Sequence, residues 1–431
     1  MGWGTGRLLR DRNAACYLTG VVVSGFGSSA MSLAAGVWAK TLTGSDSLAA
    51  LTTFCVWAPV LLGPLIGMVA DRTRRKPLLI WANIGMAVVL LPLLAIRSRD
   101  GVWLLFAVLL VYGSSSVLMD AAEAALVVNA IPEGLRGDFN GLRMTANEGM
   151  KLVAPLLGAG LFVKLGGASV ALLDALSFVL AGLAFALIRV SEPAPTPDTA
   201  QRWTAQVAEG GGYLRRHRRL RRLVLAGAAT MCMAGLNGAM VYAVVDDGLH
   251  RPPAFAGVLY AVQGVGSVLV GVGAGALLRR MPERVFAAVG IGVFALGVGL
   301  RVVPSVPVAL LASVLIGAGL PCALVASMTA VQRETPHALL GRVSATANSL
   351  LFAPNAVALA AGAGLVALVD HRVLLLVACG AAVAAALYCF LGRDGDMHAV
   401  YAAPHAAAAE DNGRAEALAG TAANLTAREE S

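Results

Sequence analysis

The sequence predicts an all-α integral membrane protein with twelve transmembrane helices in two pseudo-symmetric six-helix bundles. Three observations predict it. Apolar residues make up 58% of the 431-residue chain and charged residues only 13%, about half the charged share of a soluble domain. Apolar runs long enough to cross a hydrocarbon core, about 20 residues each, recur along the whole chain. Short motifs of the first half return roughly 200 residues later in the second, as in transporters built from repeats.

The runs lie near 14–38, 48–70, 78–96, 102–124, 141–165, 168–189, 223–246, 254–278, 285–303, 306–329, 342–368 and 373–392. Each is expected to be a helix, because lipid offers the backbone no hydrogen-bond partner. The first follows Arg7, Arg10 and Arg12 and is too long for the apolar core of a signal peptide, so it reads as a retained span. The expected organisation is a six-helix bundle over 1–190, a cytoplasmic linker over 191–222, a second bundle over 223–392 and a disordered cytoplasmic tail over 393–431. The linker begins Glu192-Pro193-Ala194-Pro195-Thr196-Pro197 and ends in a run from Arg215 to Arg222. It reads as a basic amphipathic helix on the membrane surface.

Charge placement sets the topology. The arginines and lysines gather in alternate loops, at Arg72, Arg74, Arg75 and Lys76, at Arg136 and Arg143, at Arg279, Arg280 and Arg284, and at Arg333 and Arg342. This asymmetry places both termini in the cytoplasm, in a multi-pass protein of the cell membrane. The net charge of +8 therefore belongs to loops at an anionic leaflet and not to a nucleic-acid interface.

The repeat is specific in two places. Ile131-Pro132-Glu133-Gly134-Leu135-Arg136-Gly137 is echoed by Thr335-Pro336-His337-Ala338-Leu339-Leu340-Gly341. Thr145-Ala146-Asn147 with Ala154-Pro155 is echoed by Thr346-Ala347-Asn348 with Ala353-Pro354.

Enzymatic classes find no support. No Gly-x-x-x-x-Gly-Lys-(Ser/Thr) loop is present, so no intrinsic ATP drive is expected. Gly271, Gly273 and Gly275 lie inside an apolar run and read as packing glycines. Cys16, Cys55, Cys232, Cys322, Cys379 and Cys389 sit in apolar runs without metal or disulfide spacing. The histidines are scattered. No metal and no cofactor are expected.

The sharpest motif follows the second run: Gly67-Met68-Val69-Ala70-Asp71-Arg72-Thr73-Arg74-Arg75-Lys76-Pro77-Leu78. It resembles the Gly-x-x-x-Asp-Arg-x-x-Arg-(Arg/Lys) signature of the major facilitator superfamily. Gly67, Asp71, Arg72, Arg75 and Lys76 are in register, whereas Thr73 and Arg74 replace an aromatic and a glycine. The segments Trp38 to Ser45, Leu62-Gly63-Pro64, Asp174 to Phe178 and Glu209 to Leu223 resemble the macrolide-efflux and enterobactin-exporter branch. The resemblance implies a major facilitator fold, in which this motif latches the two halves on the cytoplasmic side. A plain positive-inside loop would explain the arginines but not Asp71 and Gly67 at this spacing. The corresponding stretch of the second half, Gly275 to Arg280, has lost the acid.

A second motif, Ala154-Pro155-Leu156-Leu157-Gly158-Ala159-Gly160, looks like a degenerate form of the Gly-Pro-x-x-Gly-Gly signature of drug/proton antiporters. Pro155 bends the helix, and Gly158 and Gly160 permit close packing.

Ionisable groups inside the runs cost about 2.5–3.5 kcal/mol each on insertion scales, so they are candidates for function. Asp120 and Glu123 stand three apart on one face of the fourth run, and Glu148 and Lys151 do so on the fifth. A carboxylate that exchanges partners with Lys151 or with substrate could load and release a proton. The bland alternative is a self-neutralising Glu148–Lys151 pair, with Asp120 and Glu123 wetted at the cytoplasmic mouth. Asp174 reads as structural. Asn147, Asn237, Gln263, Asn348 and Asn355 are candidates for the substrate cavity, each equally able to make an interhelical hydrogen bond.

The resemblance implies export of a hydrophobic or amphipathic small molecule, such as an antibiotic, siderophore or other secondary metabolite, by proton antiport. The expected partners are the substrate, protons and the lipid bilayer. The expected working unit is a monomer, and its energy source is the proton gradient. The fourth run lacks the arginine that many proton-coupled members carry, so coupling rests on the branch. The alternatives are an importer or facilitator of a small polar solute on the same fold and a non-transporting membrane sensor.

Overall fold

The computed structural model describes residues 11–132, 136–190, 192 and 203–392. The predicted tail, 393–431, and most of the proline stretch of the linker lie outside them. Every regular element among the described residues is helical.

Helix α1 (Arg12–Thr43) is capped by Asp11, whose side chain accepts from the Ala14 amide at 2.8 Å. It stops at Gly44, which takes the left-handed conformation (φ 72°) of a helix C-cap. Helix α2 (Asp46–Trp57) starts from Ser45 and runs into a 3-10 segment, Ala58–Leu62, before α3 (Gly63–Asp71). There follow α4 (Arg75–Leu90), α5 (Val102–Ala130), α6 (Arg136–Leu165) and α7 (Gly167–Ala186). A linker helix α8 (Trp203–Arg216) precedes α9 (Arg218–Ala239). The second half is completed by α10 (Ala256–Arg280), α11 (Glu283–Leu300), α12 (Val306–Glu334), α13 (His337–Leu365) and α14 (His371–Phe390).

Nine described helices are long and apolar enough to cross a membrane, and α9 with its continuation Val241–Gly248, bent by 45°, is a tenth. The second and fifth predicted spans are the exceptions, for visible reasons. The second is broken between α2 and α3, where Pro59 opens the 3-10 segment. The fifth, α6, is apolar only from Val153 to Leu165, because its first half carries the charged residues singled out above. The seventh begins earlier than predicted, at Arg218, since the basic run itself forms its first turn.

In the first bundle α1 packs on α6 and α7, and α4 packs on α5 and α7. In the second, α9 packs on α13 and α14, and α12 packs on α10 and α11. Close approaches rest on small residues. A Cβ at Gly113 would lie 2.2 Å from the Val56 carbonyl, joining α5 to α2. One at Gly317 would lie 1.8 Å from the Gln263 carbonyl, joining α12 to α10 in the corresponding place. Gly158 of α6 lies against Ala30 of α1, and Gly235 of α9 lies against Ala358 of α13.

The linker helix does not lie alone on a surface. Glu209 pairs with Arg342 of α13, Gly210 packs against the Arg342 carbonyl, and the Tyr213 hydroxyl donates to Glu334 O at 2.7 Å. It is docked on the second bundle.

Candidate functional site

The contacts that join the two halves run from the middle of the bundles to the end where α1 stops, remote from the arginine clusters. There Lys40 of α1 bonds Asp46 at 2.9 Å, the Gly44 carbonyl at 3.1 Å and, across the interface, Asp246 at 2.6 Å. Lys40 is 6% exposed and Asp246 47%, so the pair reaches from the sealed interior to the surface. Beneath it an apolar cluster joins Leu33, Val37 and Ala159 of the first half to Val241, Tyr242 and Leu259 of the second. The Tyr242 ring rests on Gly36. Ser47 donates to the Ala363 carbonyl, and Trp57 stacks on Phe352 with ring centroids 6.4 Å apart. One end of the molecule is therefore closed by an ionic bond over a greasy plug.

At the basic end the signature motif is tied to its own half. Glu192 accepts from the backbone amides of Arg75 (2.7 Å) and Lys76 (2.9 Å), capping the start of α4. The Lys76 ammonium donates to the Ile188 carbonyl at 2.7 Å, beyond the end of α7. Arg72 is exposed. The side chains of Gly67 and Asp71 lie outside the described ones.

Of the proton-coupling candidates, Glu123 is brought to Arg143 of α6 at 3.6 Å, and Asp120 stands one turn earlier on an exposed face of α5. Tyr17 of α1 sits beside this pair, fully buried between Phe139 and Phe185, with its hydroxyl close to the Arg143 side chain. Spans one, four and five thus converge on one polar cluster of Tyr17, Glu123 and Arg143. Glu148, Lys151 and Asn147 fall on helix α6, but their side chains lie outside the described ones. The kink residues divide. The Pro155 carbonyl lies against Gly257 of α10 at the interface between the halves, and Gly158 seats α1, whereas Gly160 is open.

The cavity candidates divide as well. Asn237 is buried and accepts from Arg301 at 2.9 Å. Asn355 donates to the Met231 carbonyl at 3.0 Å, an interhelical bond. Gln263 is half-buried, and Asn348 is exposed.

Three groups escaped the sequence reading. Lys40 looked like a loop residue, and its partner Asp246 lies in the other half of the chain. Arg301, near the end of the predicted run 285–303, is 3% exposed and folds into the second bundle to Asn237 and Ser313 (3.2 Å). Its Nε is buried without a partner. Asp174, at 0% exposure, accepts from Tyr112 at 3.0 Å and Ser177 at 3.2 Å. Its position was noted, but not this network. A polar residue every few turns in an apolar run was the available signal.

Two helical bundles joined at one end, with polar clusters inside each, form an architecture that recurs among membrane transporters. The chain belongs to the Major Facilitator Superfamily, whose sequence profile matches residues 17–359 and again 223–419. That superfamily is one of transporters and not of enzymes. Among curated relatives it is 25% identical to an uncharacterized MFS-type transporter, YfiS, of Bacillus subtilis over 217 residues, 49% of this chain and 50% of that one. It is also 25% identical to macrolide efflux protein A of Streptococcus pyogenes over 218 residues, 49% of this chain and 53% of that one. The chain spans about half the length of the curated relatives it matches. Among solved structures it resembles a mutant of the nucleoside transporter NupG (TM-score 0.72, 13% identity, covering 88% of this chain and 99% of that one). It also resembles a bacterial homologue of the iron transporter ferroportin in its inward-facing state (TM-score 0.66, 17% identity, covering 88% and 98%). At these identities the likeness concerns the fold.

Proposed function

We propose that the protein exports a hydrophobic or amphipathic small molecule by proton antiport, with alternating access. The observation that carries the direction and substrate class is the half-chain similarity to a macrolide efflux protein. The geometry supports alternating access. The Lys40–Asp246 bond and the plug below it close one end, while the Glu123–Arg143–Tyr17 cluster lies toward the other. With the basic end in the cytoplasm, by the positive-inside rule, this conformation faces inward.

In this reading Glu123 is held by Arg143 until a proton or the substrate takes the place of one partner. Glu148 with Lys151 is the second coupling candidate, and neither pair needs a cofactor. Asp71, Arg72, Arg75 and Lys76 form the latch that closes the cytoplasmic end in the outward-facing state. The division into bundles at 1–190 and 223–392, and action as a monomer, belong to the same proposal.

The test measures accumulation of a fluorescent lipophilic cation and of a macrolide in drug-hypersensitive cells. Wild type, Glu123→Gln and Glu148→Gln are compared at matched membrane levels, with and without a protonophore. Lower accumulation in wild type, lost with the protonophore and with either variant, is the expected result. Accumulation that rises above the vector control makes the protein an importer. Lowered accumulation that ignores the protonophore removes the proton.

A further inference from the structure

The broken second span leaves a cleft that the transport reading does not use. Above the 3-10 segment α2 is pinned to α5 by the close approach at Gly113. Below it, α3 packs mainly on α5 and makes little contact with α4. The result is a cavity of about 550 Å³ between α3, α4 and α5, lined by Leu65, Val69, Leu78, Ala82, Gly85 and their apolar neighbours. Among the described residues its polar lining is two serines of α5. Ser114 already gives its hydroxyl to the Leu110 carbonyl at 2.8 Å. The described lining then offers a polar solute little beyond the Ser115 hydroxyl.

The rim is apolar too. Leu62, Leu65 and Val69 are each about half exposed, on the flank of a chain whose flanks meet lipid. Along α4 the cleft runs from Leu78 to Val89, about 16 Å at 1.5 Å per residue, which suits the greater part of a fatty acyl chain. It ends at the basic turn between α3 and α4, where Arg72 and Arg74 are exposed. Of the acids near this turn, Glu192 is already engaged by the amides of Arg75 and Lys76, and the Asp71 side chain lies outside the described ones.

We propose that this cleft is a specific site for one anionic phospholipid, with an acyl chain between α3 and α4 and the phosphate at Arg72 and Arg74. A zwitterionic lipid would fill the same cleft without the ionic contact. A Lys or Arg near the membrane surface contributes about 1 kcal/mol toward an anionic headgroup. Two of them correspond to a preference of about thirtyfold, or about 2 kcal/mol at 1.4 kcal/mol per factor of ten.

The test is native mass spectrometry of the delipidated full-length protein titrated with phosphatidylglycerol or phosphatidylcholine. The first phosphatidylglycerol is expected to bind about thirtyfold tighter than phosphatidylcholine, and Arg72→Gln with Arg74→Gln should abolish that preference. Gly85→Phe fills the cleft from a position where an added Cβ meets open space, so it should fold and lose the tight site. Leu176→Phe, on a lipid-facing position of α7, should keep it. A tight site that survives Gly85→Phe, or equal affinity for the two lipids, overturns the proposal. So does displacement of the bound lipid by a macrolide at equal concentration, which would make the cleft a substrate route.

Discussion

The two bundles share a packing scheme and differ in what they bury. In each, a glycine on the fourth helix meets a carbonyl of the second, Gly113 on Val56 and Gly317 on Gln263. In each, the first helix seats against the fifth through a glycine–alanine pair, but the glycine has changed sides. It is Gly158 on α6 in the first half and Gly235 on α9 in the second. The polar interiors do not match. The first bundle encloses an acid, Asp174, with two hydroxyl donors and no cation bonded to it. The second encloses a cation, Arg301, with two neutral acceptors and no acid bonded to it. Backbone proximity is a demand of the fold and so is kept in both copies. Buried charge costs stability, so its different placement is where the copies have specialised.

The largest effect should come from attacking what they share. Gly113→Val and Gly317→Val each force side-chain atoms into a backbone carbonyl, and each is expected to cost about 3 kcal/mol or more. Yield of monodisperse protein in detergent would fall in both. If one half tolerates the change, the shared scheme is not structural. Next comes Asp174→Leu, which strips the buried Tyr112 hydroxyl of its carboxylate acceptor and leaves Ser177 only the carbonyl of residue 174, at about 2 kcal/mol. Asp174→Asn keeps an acceptor and should cost less than half of that. Thermal melts of the two variants side by side measure the difference, and equal losses would mean that the hydroxyl network contributes nothing. The smallest effect is expected for Arg301→Met. It removes a buried charge while leaving Asn237 and Ser313 without a donor, and the two changes should offset to within about 1 kcal/mol. A loss as large as that of Asp174→Leu would show that Arg301 is compensated by more than its two neutral partners.

The fold was legible because its signals are local. Span length, charge placement and the Gly67 to Lys76 signature can each be read within a few tens of residues. The closed end was not. Lys40 and Asp246 carry no pattern that links them, and only the packing of α1 against the bent end of α9 brings them together. Arg301 misled for a different reason. An arginine at the end of an apolar run belongs to water by default, and its turn inward depends on Asn237 and Ser313 waiting in α9 and α12. The start of α9 was misplaced because a run of arginines argues against a span, although Leu220 and Leu223 bury the inner face of the same turn.

The bond at Lys40 has a property that concerns wear more than strength. An ammonium carries three N–H donors, and Lys40 has three acceptors, of which Gly44 and Asp46 are fixed to its own side of the interface. In the proposed alternating-access cycle, the parting of the halves gives up a single one of these contacts. The departing Asp246 is already nearly half in water, and no cation is left stranded in an apolar wall. Such a fastener holds in one state, releases without a large electrostatic barrier and is left intact for the next cycle.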